Sequence, residues 1–164
     1  MLAALAPRIQ ASKEELSGHQ ISGALHGLQG LDDSAELRAI FRLLAHKVSS
    51  SSSKMTRQEV AAALQGLQNH NGTRELRAVL AALAGKISGC DEAFSCKNIA
   101  VALSSLRRCG DCQEARSILA ALVPKIQACE AVFSPQDVRW ALFGLQCFRD
   151  SPELEGTLAA LAPK

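Results

Sequence analysis

Apolar residues recur along this chain three and four positions apart, the spacing of a helix face. Ile21, Ala24, Leu25 and Leu28 form one such set, and Leu37, Ile40, Phe41 and Leu44 form a second. With about 100° of rotation per residue, each set falls on one stripe of an α-helix. A polar break at Asp32-Asp33 separates them, so the pattern predicts a helix A, a turn and a helix B. The A stripe returns at Val60, Ile99 and Val138, and the B stripe returns as Leu76, Val79, Leu80 and Leu83.

The return is a repeat. Ala24-Leu25-His26-Gly27-Leu28-Gln29 comes back as Ala63-Leu64-Gln65-Gly66-Leu67-Gln68, then at Ala102 to Arg107 and Ala141 to Gln146, each 39 residues on without a gap. A second block, Leu5-Ala6-Pro7-Arg8-Ile9, recurs at Leu44 to Val48, Leu83 to Ile87 and Leu122 to Ile126, and in shortened form at Leu161 to Lys164. One helical pair cannot bury its own apolar face, whereas stacked neighbours can. The expectation is an all-α, right-handed α-solenoid of stacked hairpins with a 39-residue repeat, forming one continuous domain. Its parts would be a partial repeat over 1–16, repeats at 17–55, 56–94 and 95–133, and a truncated one at 134–164. With no polar capping repeat at either end, the array is expected to be open-ended or a piece of a longer one, with end-to-end self-association through its uncapped faces.

Local signals agree. Ser17, Thr56, Ser95 and Ser134 are N-cap residue types, and three positions on come Gln20, Glu59, Asn98 and Asp137. The first two complete capping boxes, and the others are weaker versions. Leu16, Met55, Phe94 and Phe133 precede the caps, and Ile21, Val60, Ile99 and Val138 follow four residues after them, the arrangement of a hydrophobic staple. Gly27, Gly66, Ser105 and Gly144 are all small, which suits close approach of a neighbouring helix. Glu36, Glu75, Glu114 and Glu153 open helix B where the dipole favours negative charge. Pro7, Gly85, Pro124 and Pro163 should bend or close it. Ser49 to Ser53 read as a flexible linker.

Composition narrows function. The chain is 48% hydrophobic but only 4% aromatic, and its net charge of +2 gives no global pull toward nucleic acid. No run of about 18 apolar residues predicts a membrane span. The six cysteines, at 90, 96, 109, 112, 129 and 147, all lie in the second half, unlike a disulfide scaffold, so reduced thiols in an intracellular setting are expected. Cys109-Gly110-Asp111-Cys112 has the spacing of a zinc or redox pair, but no second pair completes a site. Neither a phosphate loop, a metal-protease helix nor a nucleophile elbow is present, so no enzyme, metal or cofactor is expected.

Two columns remain. Opposite the buried A stripe, three positions vary from repeat to repeat: Ser22, Ala61, Ala100 and Arg139; Gly23, Ala62, Val101 and Trp140; His26, Gln65, Ser104 and Phe143. Repeat proteins that read one ligand unit per repeat vary in this manner, as does any exposed position that drifts. A basic column runs through Arg8, Lys47, Lys86, Lys125 and Lys164. At helix-stacking pitch it suits a phosphate backbone; equally, a cation suits the free carbonyls at a helix end. Trp140 and Phe143 are candidates for stacking on bases or for packing on a further repeat.

Phe133-Ser134-Pro135-Gln136-Asp137-Val138, followed by Ala141-Leu142-Phe143-Gly144-Leu145, resembles the repeats of octotricopeptide and heptatricopeptide proteins. Those are organellar helical-repeat proteins, often found with a RAP domain. The resemblance implies sequence-specific binding of single-stranded RNA by the variable helix A positions, within a factor for organellar RNA processing or expression. Lys47, Lys86 and Lys125 would contact phosphate. A protein-binding scaffold of the tetratricopeptide or ankyrin kind is the alternative.

Overall fold

The computed structural model describes residues 4–164; Met1, Leu2 and Ala3, expected to belong to a helix B, lie outside them. Among the described residues all regular structure is helical: α1 (Leu5–Ala11), α2 (Gly18–Gly27), α3 (Ala35–Ser50), α4 (Arg57–Leu67), α5 (Arg74–Ser88), α6 (Cys96–Ser105), α7 (Gln113–Gln127), α8 (Pro135–Leu145) and α9 (Pro152–Leu161). A short 3₁₀ turn, Leu106–Arg108, extends α6.

The helix starts follow from the caps. Ser17, Thr56, Ser95 and Ser134 each accept a bond from the backbone N–H three residues on, and each N-cap N–H is taken in return by Gln20, Glu59, Asn98 or Asp137. The box is therefore complete in all four, including those with the shorter Asn98 and Asp137 side chains. Helices α3, α5 and α9 have caps of their own in Ser34, Thr73 and Ser151; Cys112 holds that position before α7 without a side-chain bond. These residues also stand 39 apart, and their meaning shows only once the turn is seen to end there.

The helices pack in two rows. In one, the A row, α2 lies against α4, α4 against α6 and α6 against α8; in the other, the B row, α1, α3, α5, α7 and α9 follow in order. The apolar stripes meet between the rows. Ile21, Leu25, Val60, Ile99 and Leu103 are wholly enclosed, as are Leu76, Leu80, Leu83, Leu119 and Leu122. Two small positions allow the A-row helices to touch. A Cβ on Gly66 would fall 2.3 Å from the Leu25 carbonyl oxygen of α2, and one on Gly144 would fall 2.0 Å from the Leu103 carbonyl oxygen of α6. Contact that close to backbone admits no side chain, which is why glycine is tolerated within a helix despite its cost of about 1 kcal/mol relative to alanine.

Three expectations are corrected. Val138 matches Ile21, Val60 and Ile99 in register, yet it is 42% exposed because no helix lies over the far side of α8 among the described residues. Of the residues expected to bend or close helix B, Pro7, Gly85 and Pro124 do not close it: α1 runs on to Ala11, α5 to Ser88 and α7 to Gln127. Proline denies the helix only one N–H bond, and Ala120, four residues before Pro124, sits on the exposed side. Nor are the serines a slack linker: Ser49 and Ser50 belong to α3. Ser51 Oγ donates to the Leu16 carbonyl at 2.7 Å, Ser52 binds Glu15, and Ser53 Oγ accepts from the Gly18 N–H at 3.1 Å. They stitch the turn before α4 to the turn before α2.

Candidate ligand-binding groove

The outer surface of the A row carries a shallow groove of about 430 Å³ across α4, α6 and α8, lined by Gln65, Gln68, Lys97, Val101, Gln136 and Trp140, with Ala100 and Ser104 in its floor. A second hollow of about 360 Å³ continues it between α4 and α6, past Arg57, Ala61, Ala62 and Asn98. Several of the lining residues stand 39 apart in sequence: Gln65 with Ser104, Lys97 with Gln136, and Val101 with Trp140.

The variable positions divide. Gly23 and His26 on α2 are exposed but stand outside both hollows. Ala62, Gln65, Val101 and Ser104 are half-buried along the two hollows, and Trp140 is exposed at the end. The column of Ser22, Ala61 and Ala100, expected to face outward, is buried instead. Each of these helices is covered on that side by the next A helix, so the position tolerates only small residues. Arg139, the fourth member, is exposed, and no A helix follows it among the described residues.

Phe143 is half-buried beneath a cation. The Arg107 guanidinium carbon lies 4.2 Å from its ring centroid, and Trp140 meets it edge-on with centroids 6.2 Å apart. One face of Phe143 is therefore already occupied, leaving Trp140 as the exposed aromatic surface.

The lysines expected to contact phosphate are engaged elsewhere. Lys47 Nζ donates to the carbonyls of Ser12 and Glu14. Lys86 Nζ donates to Ser51 at 2.5 Å and Ser53 at 2.8 Å, and Lys125 Nζ to Cys90 at 2.5 Å. Lys164 repeats the bond to Gln127 and Cys129. Each ammonium thus reaches past its own helix to the carbonyls that end the preceding helix of the B row. Those groups lack an intrahelical donor, and the cation meets the negative end of the helix dipole. Burial lowers the Lys86 pKa, with the Glu15 carboxylate opposing that shift. None of the three lysines lines the groove. Lys97 does, occupying the register of His19, and Gln68 stands in the register of Gln29 and Arg107. The column of Lys97 varies as well, through His19, Gln58 and Gln136, which is the signal in the sequence that marks it, whereas the column of Gln68 is glutamine everywhere but Arg107.

Elsewhere, His70 fills a core position held by Leu31, Cys109 and Phe148 in the other repeats of the pattern. Its Nε2 bonds the Leu28 carbonyl at 2.9 Å and its ring meets Phe41 edge-on. Cys109 and Cys112 are buried, and burial pushes the Cys109 thiol up to about 12, with Cys112 and Cys147 adding to the shift. Cys112 is raised by burial too, so both remain neutral thiols rather than nucleophiles at ordinary pH. Among the described residues no group of three or more His, Cys, Asp and Glu is placed to hold a metal ion, and no helix is long and apolar enough to cross a membrane.

No protein-family model, curated protein or solved structure matches the chain.

Proposed function

We propose that the chain is a right-handed α-solenoid of 39-residue hairpins that binds single-stranded RNA along its row of A helices, as a non-enzymatic module of an RNA-processing or expression factor. The observation that carries this reading is the chemistry of the groove. Its walls offer the amides of Gln65, Gln68 and Gln136, the ammonium of Lys97 and the exposed indole of Trp140. Its one carboxylate, Asp137, is held by Ser134, whose N–H and hydroxyl both donate to it. Amides pair with base edges, an indole stacks on any base, and a lysine meets phosphate. The resemblance of the Phe133 to Leu145 segment to octotricopeptide repeats supports the same ligand. In this form of the proposal Lys97 replaces Lys47, Lys86 and Lys125 as the phosphate contact; Arg57 nearby is held by the Ala93 carbonyl and Glu92.

The engaged lysines also favour a second reading. With the ladder tied to carbonyls and the net charge only +2, an extended peptide bound along the same amides is the alternative. Selection from a random single-stranded RNA pool, repeated across salt concentrations, separates the two. RNA reading predicts enriched sequences and affinity that falls with salt. Lys97→Glu should reduce the slope of log affinity against log salt by about one or more, and Trp140→Ala should weaken binding by about 1–3 kcal/mol. Absence of both enrichment and salt dependence would transfer the groove to a peptide ligand.

A further inference from the structure

We infer that the two ends of the A row are halves of one interface, so that a second copy of this chain docks its α8–α9 pair onto α2 and displaces α1. The inference goes beyond the RNA reading and does not depend on it.

Among the described residues no A helix covers the far side of α8. Val138 and Leu142 are 42% and 48% exposed, whereas their register equivalents Ile99 and Leu103 are wholly buried by α8 itself. On α9, Leu158 is exposed where Leu119 and Leu80 are buried. The near side of α2 is the matching back face. Ala24 is exposed although Ala63, Ala102 and Ala141 are buried. Among the described residues nothing lies within 4 Å of where a Gly27 Cβ would stand, while Gly66 and Gly144 at the same register press on the backbone of the A helix before them. Beside it, an apolar hollow of about 400 Å³ opens between α1, α2 and α3, lined by Leu5, Ile9, Leu28 and Leu44. Later in the chain an A helix stands at the corresponding place.

What makes the occupant a second copy is the register of α1 and α9. Ala4-Leu5-Ala6-Pro7-Arg8 and Ala160-Leu161-Ala162-Pro163-Lys164 are the same stretch of helix B, differing only in which cation ends it. If α8 of one copy takes the open place beside α2 of the next, its own α9 must take the place of α1. The end of α9 supplies the same side chains there, and Lys164 replaces Arg8. Helix α1 is suited to yield, because it has no buried residue and no side-chain cap. In the joint Gly27 would rest on the backbone of Leu142 and Phe143 as Gly66 rests on Leu25 and His26. Because the two faces differ, the contact does not close on itself and generates an open chain of copies. It also continues the A row, setting Trp140 of one copy beside Gly23 and His26 of the next.

The test is sedimentation of the 164-residue chain, without RNA, from low micromolar to several hundred micromolar. The expected result is a mass that climbs steadily past the dimer. Gly27→Leu should weaken association about tenfold or more, since its side chain would meet backbone in the joint, while the thermal melt of the single chain is unchanged or raised. Leu142→Glu should act likewise from the other face. A mixture of these two variants retains one sound face on each partner and should form a heterodimer that grows no further. Deleting residues 1–8 removes the competing helix and should strengthen association. A monomer at every concentration, a dimer that stops growing in the unaltered chain, or Gly27→Leu associating normally would overturn the inference. Loss of RNA binding with assembly intact would instead count against the groove alone.

Discussion

The middle of the molecule and its two edges are written in the same pattern but end in different environments. Helices α4 and α6 lie between neighbours on both sides, and their Val60, Leu64, Ile99 and Leu103 are sealed. Helix α8 carries Val138 and Leu142 at the same register, yet both face outward. At the other edge Ala24 of α2 is exposed where Ala63 and Ala102 are enclosed. Burial in such a chain is a property of the joint between helices, not of the helix that supplies the side chain. A residue type chosen for packing is therefore no guide to packing unless the neighbour is present.

Truncating one leucine at each place measures that difference directly. Leu103→Ala removes a side chain enclosed by α8 and its surroundings and should cost about 2–5 kcal/mol. Leu142→Ala, about half-exposed at the same register, should cost about 1 kcal/mol or less when measured dilute. Urea unfolding of both variants checks it. Equal losses would mean that the far side of α8 is covered in solution even at low concentration.

The glycines sharpen the same contrast with opposite signs. At Gly66 an added Cβ would strike the Leu25 carbonyl group, so Gly66→Ala must push α4 from α2 and should destabilise by about 1–3 kcal/mol. At Gly27 the space is open, and Gly27→Ala should raise helix stability by up to about 1 kcal/mol. Midpoints of thermal or urea unfolding moving in opposite directions for the two substitutions is the expected outcome; a loss at both would mean that Gly27 too lies against backbone.

These pairs also show why part of the molecule was legible from sequence and part was not. Helix starts were legible, because a cap and its partner lie three residues apart and depend on nothing distant: Ser17 with Gln20 and Ser134 with Asp137 needed no tertiary information. The close approach at Gly66 was legible because its small size recurred. The outward arc of helix A was only half legible. Periodicity places Ala61 and Ala100 away from the stripe that faces the B row, but it is silent about the second covering, by the next A helix, that buries them. The lysine column misled for a related reason. Constant charge at a constant register is what both a phosphate ladder and a carbonyl cap require, and the choice rests on where Ser51, Ser53 and Cys90 direct their carbonyls, which is long-range geometry. Lys97 was passed over because only Ser22, Gly23, His26 and their equivalents were followed as readers, although its own column varies too, and Gln68 because its column is glutamine everywhere but Arg107.

The smallest effect in this comparison concerns two salt bridges that occupy one register. Arg116 grips Asp111 with two bonds of 2.7 Å in a partly enclosed turn between α6 and α7, while Arg38 and Asp33 make the equivalent pair in the more exposed turn before α3. Bonding to its arginine holds each aspartate below the usual carboxylate range. A carboxylate whose pKa is lowered by folding binds fewer protons in the native state than in the unfolded chain. Its contribution is therefore present at neutral pH and is lost as pH falls through the native pKa, below the ordinary aspartate value of about 4. Asp111 also accepts from the Arg149 N–H of the next turn, so it joins two helix pairs, which Asp33 does not. Asp111→Asn should accordingly lower the urea midpoint at pH 7 by more than Asp33→Asn, and the gap between Asp111→Asn and the unaltered chain should narrow when both are measured near pH 3. A gap at pH 3 as wide as at pH 7 would show that the asparagine acts through the turn geometry, and that charge contributes nothing to the joint between those pairs.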